Sequence, residues 1–140
     1  MKDTLPVLLA EDDSVDQQAV QRAFKQLHIT NPLVIANDGE EALSYLKDTA
    51  NKKPCLILLD LKMPKMDGLE LLGQLKADDC LRRIPVVVFT TSKEEGDKAR
   101  SFDRSVAGYI VKPPTHEQFV DALRTSDLYW TLSELPPQEG

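Results

Sequence analysis

Five short apolar runs, each followed by a segment with helical spacing, constrain the fold of this 140-residue chain more than any other feature. The runs are rich in Val, Ile and Leu, and most of them do not alternate with polar residues. This pattern is typical of parallel strands buried on both faces. The runs are residues 6–10, 33–36, 55–59, 86–89 and, more weakly, 108–111. Strands that alternate with helices predict one α/β domain with a parallel sheet covered on both faces by right-handed crossovers.

The segments between the runs carry apolar residues at helical spacing. In the first segment Val15, Ala19, Ala23 and Leu27 recur every fourth residue and predict a helix that packs with this face on the sheet. Similar stripes predict four more helices: Ala42, Leu43 and Leu46; Leu69, Leu72 and Leu75; Ala99, Phe102 and Val106; and Phe119, Val120, Leu123 and Trp130. Capping patterns at Ser14, Ser92 and Thr115 indicate where three of the helices begin.

The composition is that of a soluble globular protein, with 41% hydrophobic and 29% charged residues. A net charge of -6 argues against binding to nucleic acid or to an anionic membrane, because both need a basic patch. No apolar run approaches the roughly 18 residues of a membrane helix. The N-terminus turns acidic too soon for a signal peptide, so the expected location is cytoplasmic. Cys55 and Cys80 fit neither a metal-ligand nor a redox spacing, and we expect buried, reduced thiols.

Chemically distinct side chains follow the predicted strands. Glu11 and Asp12 follow the first strand, Asp60 the third, Thr90 the fourth and Lys112 the fifth. The carboxyl ends of parallel strands lie on one edge of the sheet, where open α/β sheets bind ligands. If the first and third strands are neighbours, the three carboxylates converge.

Three carboxylates in one partly dry pocket repel one another, at a cost of roughly 4 kcal/mol for a pair about 4 Å apart. A hard cation relieves this repulsion, and Mg²⁺ fits best because it accepts one or two carboxylates together with phosphate oxygens. Lys112 adds a positive charge and Thr90 a hydroxyl donor. A lone Asp after a strand usually caps a helix or forms a turn. The conjunction of four distinct groups at four strand ends instead favours Asp60 as the nucleophile of a phosphoryl-transfer site.

Four segments resemble a response-regulator receiver domain: VLLAEDD (7–13), LILLDLKMPKMDG (56–68), IPVVVFTTS (84–92) and GYIVKPP (108–114). The resemblance covers residues 5–128. The chain is also similar to the stand-alone receivers that pair with bacterial and cyanobacterial phytochrome kinases. That similarity lies in LKMPKMDGLELL (61–72), VVVFTTSKEE (86–95) and the aromatic pair at 129–130. The resemblance implies a doubly wound five-stranded parallel sheet, (βα)5, in the flavodoxin-like order 2-1-3-4-5. It divides the chain into a receiver domain (1–128) and a C-terminal extension (129–140).

The resemblance also implies a role for each matching residue in the acidic pocket. Asp60 accepts the phosphoryl group from a phosphohistidine of a sensor histidine kinase. Asp12 binds Mg²⁺ directly, Glu11 acts through water, and Lys62 offers its backbone carbonyl. Lys62 and Ser92 set the lifetime of the phosphorylated state. Such a protein catalyses only its own phosphorylation and dephosphorylation, so it is not classed as an enzyme.

A second set of matching residues carries the expected switch. Thr90 hydrogen-bonds the phosphoryl oxygen, and Tyr109 turns inward when that hydroxyl moves. Lys112 pairs with the phosphoryl group, and in the family its bond to Pro113 is cis. The surface formed by the fourth helix, fifth strand and fifth helix (α4-β5-α5 in the family) is the expected output.

The C-terminal extension is more apolar than a receiver requires. Tyr129, Trp130 and Leu132 either fold back on the same chain or form a partner or homodimer surface, since exposed apolar patches mark contacts. The resemblance to phytochrome-linked receivers favours a homodimer.

Three rival interpretations are weaker. A haloacid dehalogenase phosphatase needs a second Asp two residues after the nucleophile, where this chain has Lys62, and there is no cap domain. A receiver-like module that never takes phosphate usually lacks the Asp, the acidic pair or the Lys. A flavodoxin needs a Ser/Thr/Gly-rich phosphate loop after the first strand.

Overall fold

The computed structural model describes residues 5–90 and 106–125. The elements in these ranges, in chain order, are β1 (Val7–Ala10), α1 (Ser14–Gln26), β2 (Leu33–Ala36), α2 (Gly39–Lys47), β3 (Leu56–Leu59), α3 (Gly68–Ala77), a 3₁₀ turn (Leu81–Arg83), β4 (Val86–Thr90), β5 (Val106–Val111) and α4 (His116–Thr125). Among the described residues, no helix has the length and apolar character needed to span a membrane.

The five strands form one parallel sheet in the order β2-β1-β3-β4-β5. The expected doubly wound, flavodoxin-like order is therefore confirmed. β1 and β3 are neighbours, with Leu8 opposite Ile57 and Ala10 opposite Leu59. The chain reverses its direction of winding between β1 and β3, so the ends of these two strands flank the switch point where such sheets bind ligands.

The non-alternating strands are explained by two apolar layers, one on each face of the sheet. Leu9 and Leu58 pack on one face with Phe24 of α1 and Phe119 of α4. On the other face, Leu8, Ile57 and Leu59 pack with side chains of α2 and α3, which include Leu46, Leu71, Leu72 and Leu75. Both faces of β1 and β3 are covered, and every residue of these strands is apolar and buried.

The buried face of α1 differs from the stripe that the sequence predicts. Val15 is 70% exposed, whereas Val20, Ala23 and Phe24 are buried. A helix has 3.6 residues per turn, so a strict four-residue repeat drifts by about 40° at each step. Over the three steps to Leu27, Val15 moves about 120° away from the sheet-facing side.

Val106 belongs to a strand and not to the helical stripe predicted with Ala99 and Phe102. It is the first residue of β5 and pairs with Val86 of β4. A β-branched side chain fits the pleated sheet at least as well as a helix face, which is why the spacing alone misplaces it. The rest of that stripe, Ala99 and Phe102, lies outside the described residues, as does the extension 129–140.

The expectation that both cysteines are buried is wrong. Neither cysteine forms a disulfide, but Cys80 is exposed and Cys55 is only partly buried. Cys80 lies in the turn after α3, where its amide donates to the carboxylate of Asp78. This turn runs over the surface, as connections usually do, so its small apolar residue has no core to enter.

Candidate functional site

The neighbouring ends of β1 and β3 bring the predicted carboxylates together. The amide of Asp60 donates to the carbonyl of Ala10 at 2.9 Å, which fixes the end of β3 beside that of β1. Carboxylate oxygens of Glu11, Asp12 and Asp60 lie within 4.8 Å of one another. Glu11 and Asp60 are buried and Asp12 is exposed. The acidic cluster, meaning these three residues, therefore has a buried base and an open side.

The acidic cluster fits a hard divalent cation. All three side chains offer carboxylate oxygens, the ligands that Mg²⁺ and Mn²⁺ prefer. A surface cleft lined by Asp12, Lys62 and Asp67 opens beside the cluster and gives access from solvent. The amide of Lys62 lies 3.4 Å from Asp60 Oδ1, which places this residue next to the carboxylate. The metal-binding role of its carbonyl stays a prediction.

Lys112 contacts three carboxylates with one ammonium group. Its Nζ lies 2.7 Å from Glu11 Oε1, 2.8 Å from Asp16 Oδ2 and 3.6 Å from Asp60 Oδ2. Its amide donates to the carbonyl of Thr90 at 2.6 Å, which fixes the end of β5 beside the end of β4. The predicted convergence of Lys112 with the acidic cluster is therefore present.

Asp16 is a residue of the site that sequence reasoning missed. It lies in the first turn of α1, where acidic residues are common because they suit the helix dipole. Its partner, Lys112, is 96 positions away in the chain. No local pattern marks Asp16 as different from any other acid at a helix start.

Burial governs the protonation of the site. Burial raises the pKa of Glu11 to about 7, against the lowering effect of its hydrogen bond with Lys112, and the charge of Asp60 raises it further. Burial also raises the pKa of Asp60, again opposed by Lys112. Burial alone would lower the pKa of Lys112, but its bonds to Asp16 and Glu11 outweigh burial and raise it. Without a cation the two buried acids hold protons more tightly than free carboxyls do.

The residues of the expected switch are only partly described. Thr90 is the last residue of β4 and is buried beside the site. The backbone of Tyr109 pairs with Val88 in the sheet, but its side chain lies outside the described residues. Ser92 lies outside them as well.

The expected cis bond between Lys112 and Pro113 is absent. The residues 5–90 and 106–125 contain no cis peptide bond. The energy difference between the two forms of an X-Pro bond is only about 0.5–1 kcal/mol, so the local geometry decides between them. With the trans bond, the ammonium of Lys112 still contacts Glu11, Asp16 and Asp60.

Two glycines hold the loop that carries Asp60. The amide of Gly68 donates to the carbonyl of Leu61 at 3.0 Å, and a Cβ at this position would lie 2.5 Å from the carbonyl oxygen of Asp60. The amide of Gly39 donates to Met66 in the same loop, and its Cβ would lie 2.2 Å from the carbonyl oxygen of Met66. The N-termini of α2 and α3 therefore clamp the loop at contacts that leave no room for a side chain.

Comparison with known proteins identifies a family for this chain. The model of the response regulator receiver domain matches residues 7–124. This match spans every described strand and all but the last residue of the described helices. It includes the acidic cluster, Thr90 and Lys112.

Two curated relatives have the same identity to this chain and different names. Rcp1, a response regulator of Synechocystis sp., is 36% identical over 128 residues, which are 89% of this chain and 87% of Rcp1. FilR2 of Methanothrix harundinacea, a probable methanogenesis regulatory protein, is 36% identical over 132 residues, covering 92% of this chain and 85% of FilR2. Equal identity to this chain is therefore found in two differently named regulators, of which FilR2 is described as a probable methanogenesis regulator.

Two solved structures share the fold over nearly their whole length. The Mn²⁺-bound form of Rcp1 superposes with a TM-score of 0.81 at 34% identity and covers 96% of this chain and 99% of its own. The phosphorylated cyanobacterial phytochrome response regulator RcpA gives a TM-score of 0.81 at 36% identity with the same coverage. One similar protein is thus known with a divalent cation and another with a phosphoryl group.

Proposed function

The chain belongs to the response regulator receiver domain family, and on this premise we propose that it accepts a phosphoryl group on Asp60 from a sensor histidine kinase. The observation that carries the proposal is the meeting of the acidic cluster with Lys112 at the switch point of the sheet. The cluster supplies a nucleophile and cation ligands, and the ammonium supplies a fixed positive charge. A phosphoryl-transfer site needs these three components.

The transfer is an in-line displacement at phosphorus. A carboxylate oxygen of Asp60 forms the new P–O bond while the P–N bond to the donor histidine breaks, and the imidazole leaves with the bonding electron pair. Lys112 neutralises charge on the transferring oxygens. Bound at Glu11, Asp12 and Asp60, Mg²⁺ would supply further neutralisation and lower the repulsion among the acids. The leaving group is good, so positioning and charge neutralisation account for most of the catalysis.

Phosphorylation adds about two negative charges at the buried edge of the sheet. Thr90 follows the phosphoryl group, and Tyr109 fills the space behind it. The output is the surface made by β5, the last helix and the segment between β4 and β5. Thr90→Ala keeps phosphoryl uptake but uncouples it from partner binding. A variant that lost uptake and kept partner binding would contradict this division of roles.

Lys62 and Ser92 tune how long the phosphoryl group stays on Asp60. Lys62 follows the nucleophile by two positions, and its amide lies beside Asp60 Oδ1. Ser92 follows Thr90 by the same interval. Exchange of both side chains changes autodephosphorylation about tenfold, which corresponds to about 1.4 kcal/mol in the barrier. A decay rate that neither exchange alters would contradict the role.

A phytochrome kinase is the partner that the relatives favour. RcpA is described as a phytochrome response regulator and matches this chain over nearly its whole length. FilR2 is as identical to this chain as Rcp1 is and is described as a probable methanogenesis regulator, so the partner requires its own test. Phosphotransfer from a purified phytochrome kinase, compared with an unrelated histidine kinase at equal concentration, gives that test. A rate no higher with the phytochrome kinase would contradict the assignment.

The remaining proposals concern assembly and location. The receiver domain (1–128) folds as a unit, and Tyr129, Trp130 and Leu132 form a homodimer contact in the extension. Trp130→Ala therefore lowers the particle mass measured by light scattering, and an unchanged mass would contradict the dimer. The net charge of -6 supports a protein that binds neither nucleic acid nor membranes, and we propose a cytoplasmic location.

Phosphorylation in vitro tests the central proposal. Wild type and Asp60→Asn are incubated with acetyl phosphate, with and without Mg²⁺, and intact mass is measured. We expect a Mg²⁺-dependent gain of one phosphoryl group in the wild type only. A folded wild type that gains no phosphoryl group, from acetyl phosphate or from a histidine kinase, would show that the site serves binding alone.

A further inference from the structure

Asp16 lies outside the acidic cluster but accepts a hydrogen bond from the ammonium group of Lys112. Its Oδ2 accepts from Lys112 Nζ at 2.8 Å, nearly as close as the bond to Glu11 at 2.7 Å. The oxygen of Asp60 lies at 3.6 Å, beyond hydrogen-bond distance. In the unphosphorylated chain the ammonium is therefore bonded to two carboxylates that do not receive the phosphoryl group.

A phosphoryl group on Asp60 changes this competition. It adds strong acceptor oxygens and about two negative charges next to the ammonium. Hydrogen bonds from an ammonium to phosphate oxygens are short and strong, so Lys112 is drawn toward the new group. A contact that is lost or weakened in the phosphorylated state stabilises the unphosphorylated state.

The two existing partners of Lys112 differ in how easily they can be released. The side chain of Glu11 is 0% exposed, and its second oxygen accepts from the amide of Asp13 at 3.1 Å. A released Glu11 would lose the ammonium as a hydrogen-bond donor in a position that water cannot reach, which is unfavourable. The side chain of Asp16 is 30% exposed and can exchange the ammonium for water at little cost.

We infer that Asp16 is a positioning residue that holds Lys112 away from Asp60 in the resting state and is displaced when the phosphoryl group arrives. This inference rests on the proposed function. Asp16 thus opposes phosphorylation and sets how readily the site is occupied. The effect is exerted through Lys112, since Asp16 is not one of the clustered cation ligands.

Binding of beryllofluoride, a stable mimic of the phosphoryl group, tests the inference. Wild type, Asp16→Asn and Asp16→Glu are titrated in saturating Mg²⁺, and the bound fraction is read by ¹⁹F NMR. We expect Asp16→Asn to bind about threefold to fivefold more tightly, the upper part of the range expected for loss of a partly exposed charge pair. Asp16→Glu restores the carboxylate and returns the affinity to near the wild-type value.

A matched control separates the contact from the change in net charge. Glu40 also lies in the first turn of its helix, is exposed and stands outside the acidic cluster. Glu40→Gln makes the same change in charge and is expected to leave the affinity within about twofold of wild type, because exposed charges at a distance are screened. Equal tightening by Glu40→Gln and Asp16→Asn would overturn the inference.

The remaining outcomes distinguish the inference from the function on which it rests. Unchanged or weaker binding by Asp16→Asn, with a normal wild type, overturns the inference and leaves the function standing. No binding by a folded wild type overturns both. Thermal unfolding establishes that each variant is folded, and Asp16→Ser replaces Asp16→Asn if the latter fails to fold.

Discussion

The central strands and the residues that follow them are equally buried and chemically opposite. Leu58 and Leu59 in β3 are 2% and 0% exposed, and the next residue, Asp60, is 5% exposed. At the end of β1 the apolar Ala10 and the acidic Glu11 that follows it are both 0% exposed. Solvent is thus excluded to the same degree over the strand interior and over its carboxyl end.

The same exclusion of water has opposite energetic consequences in the two regions. A buried aliphatic side chain stabilises the fold by about 1.5–3 kcal/mol. A buried carboxylate is destabilising unless it is paired, and burial raises the pKa values of both Glu11 and Asp60. The strand interior therefore stabilises the fold, and that stability offsets the cost of keeping two buried acids beside the ammonium of Lys112.

The largest expected effect on stability comes from a substitution in the strand interior. Leu58→Ala should lower the free energy of unfolding by about 2–5 kcal/mol, because it leaves a cavity among the buried side chains packed with α1 and α4. Urea denaturation measures the loss. Val15→Ala is the matched control: its side chain is 70% exposed, so the change should stay within about 0.5 kcal/mol. Similar losses in both variants would contradict the placement of the core.

A smaller effect is expected where the core meets the site. Gly68→Ala should lower the free energy of unfolding by about 1–3 kcal/mol and slow phosphoryl uptake, since the methyl group displaces the backbone of Asp60 and Leu61. Gly108→Ala is the control, because nothing lies within 4 Å of the point that its Cβ would occupy. Denaturation and the acetyl phosphate assay are run on both. Normal uptake in a destabilised Gly68→Ala would show that the loop tolerates the shift.

The smallest expected effect is at the end of β1, where a substitution should raise the free energy of unfolding instead of lowering it. The pKa of Glu11 is raised from 4.5 to about 7, so its contribution to stability is present below pH 4.5 and is lost as the pH rises through about 7. In metal-free protein at pH 8, Glu11→Gln should therefore be more stable than wild type by about 1–2 kcal/mol, partly offset because Lys112 loses an acceptor.

Chemical denaturation of metal-free wild type and Glu11→Gln at pH 5 and pH 8 measures this difference. The free energies of unfolding of the two proteins should become similar at pH 5, where Glu11 is protonated in the folded state. A wild type that is the more stable of the two at pH 8 would contradict the prediction. Mg²⁺ affinity should fall in Glu11→Gln, since the variant lacks one of the clustered carboxylates.

The sequence alone predicts the sheet and most of the site, because both depend on strand ends. Buried parallel strands leave a distinct apolar run, and the residue after each run lies on the functional edge. Glu11, Asp60 and Lys112 follow from this rule. The rule depends on order along the chain, so it needs no knowledge of distances.

The rest depends on contacts that no local pattern encodes. Asp16 joins the site only because α1 begins beside the end of β5, across 96 positions of sequence. The four-residue repeat places Val15 on the wrong face because it drifts from the 3.6-residue period of a helix. The helical stripe wrongly includes Val106 because a single Val fits both periods. The close contacts of Gly39 with Met66 and of Gly68 with Asp60 can be recognised only in the folded structure.

The separation of the site residues in the chain has a consequence for synthesis. Lys112 and Glu11 are 101 positions apart, and their bond forms only when β1, β3, β4 and β5 have all assembled. A nascent chain that has not yet exposed its fifth strand contains Asp60 but lacks the ammonium beside it. The charge neutralisation at the strand ends therefore becomes complete only when β5 has joined the sheet.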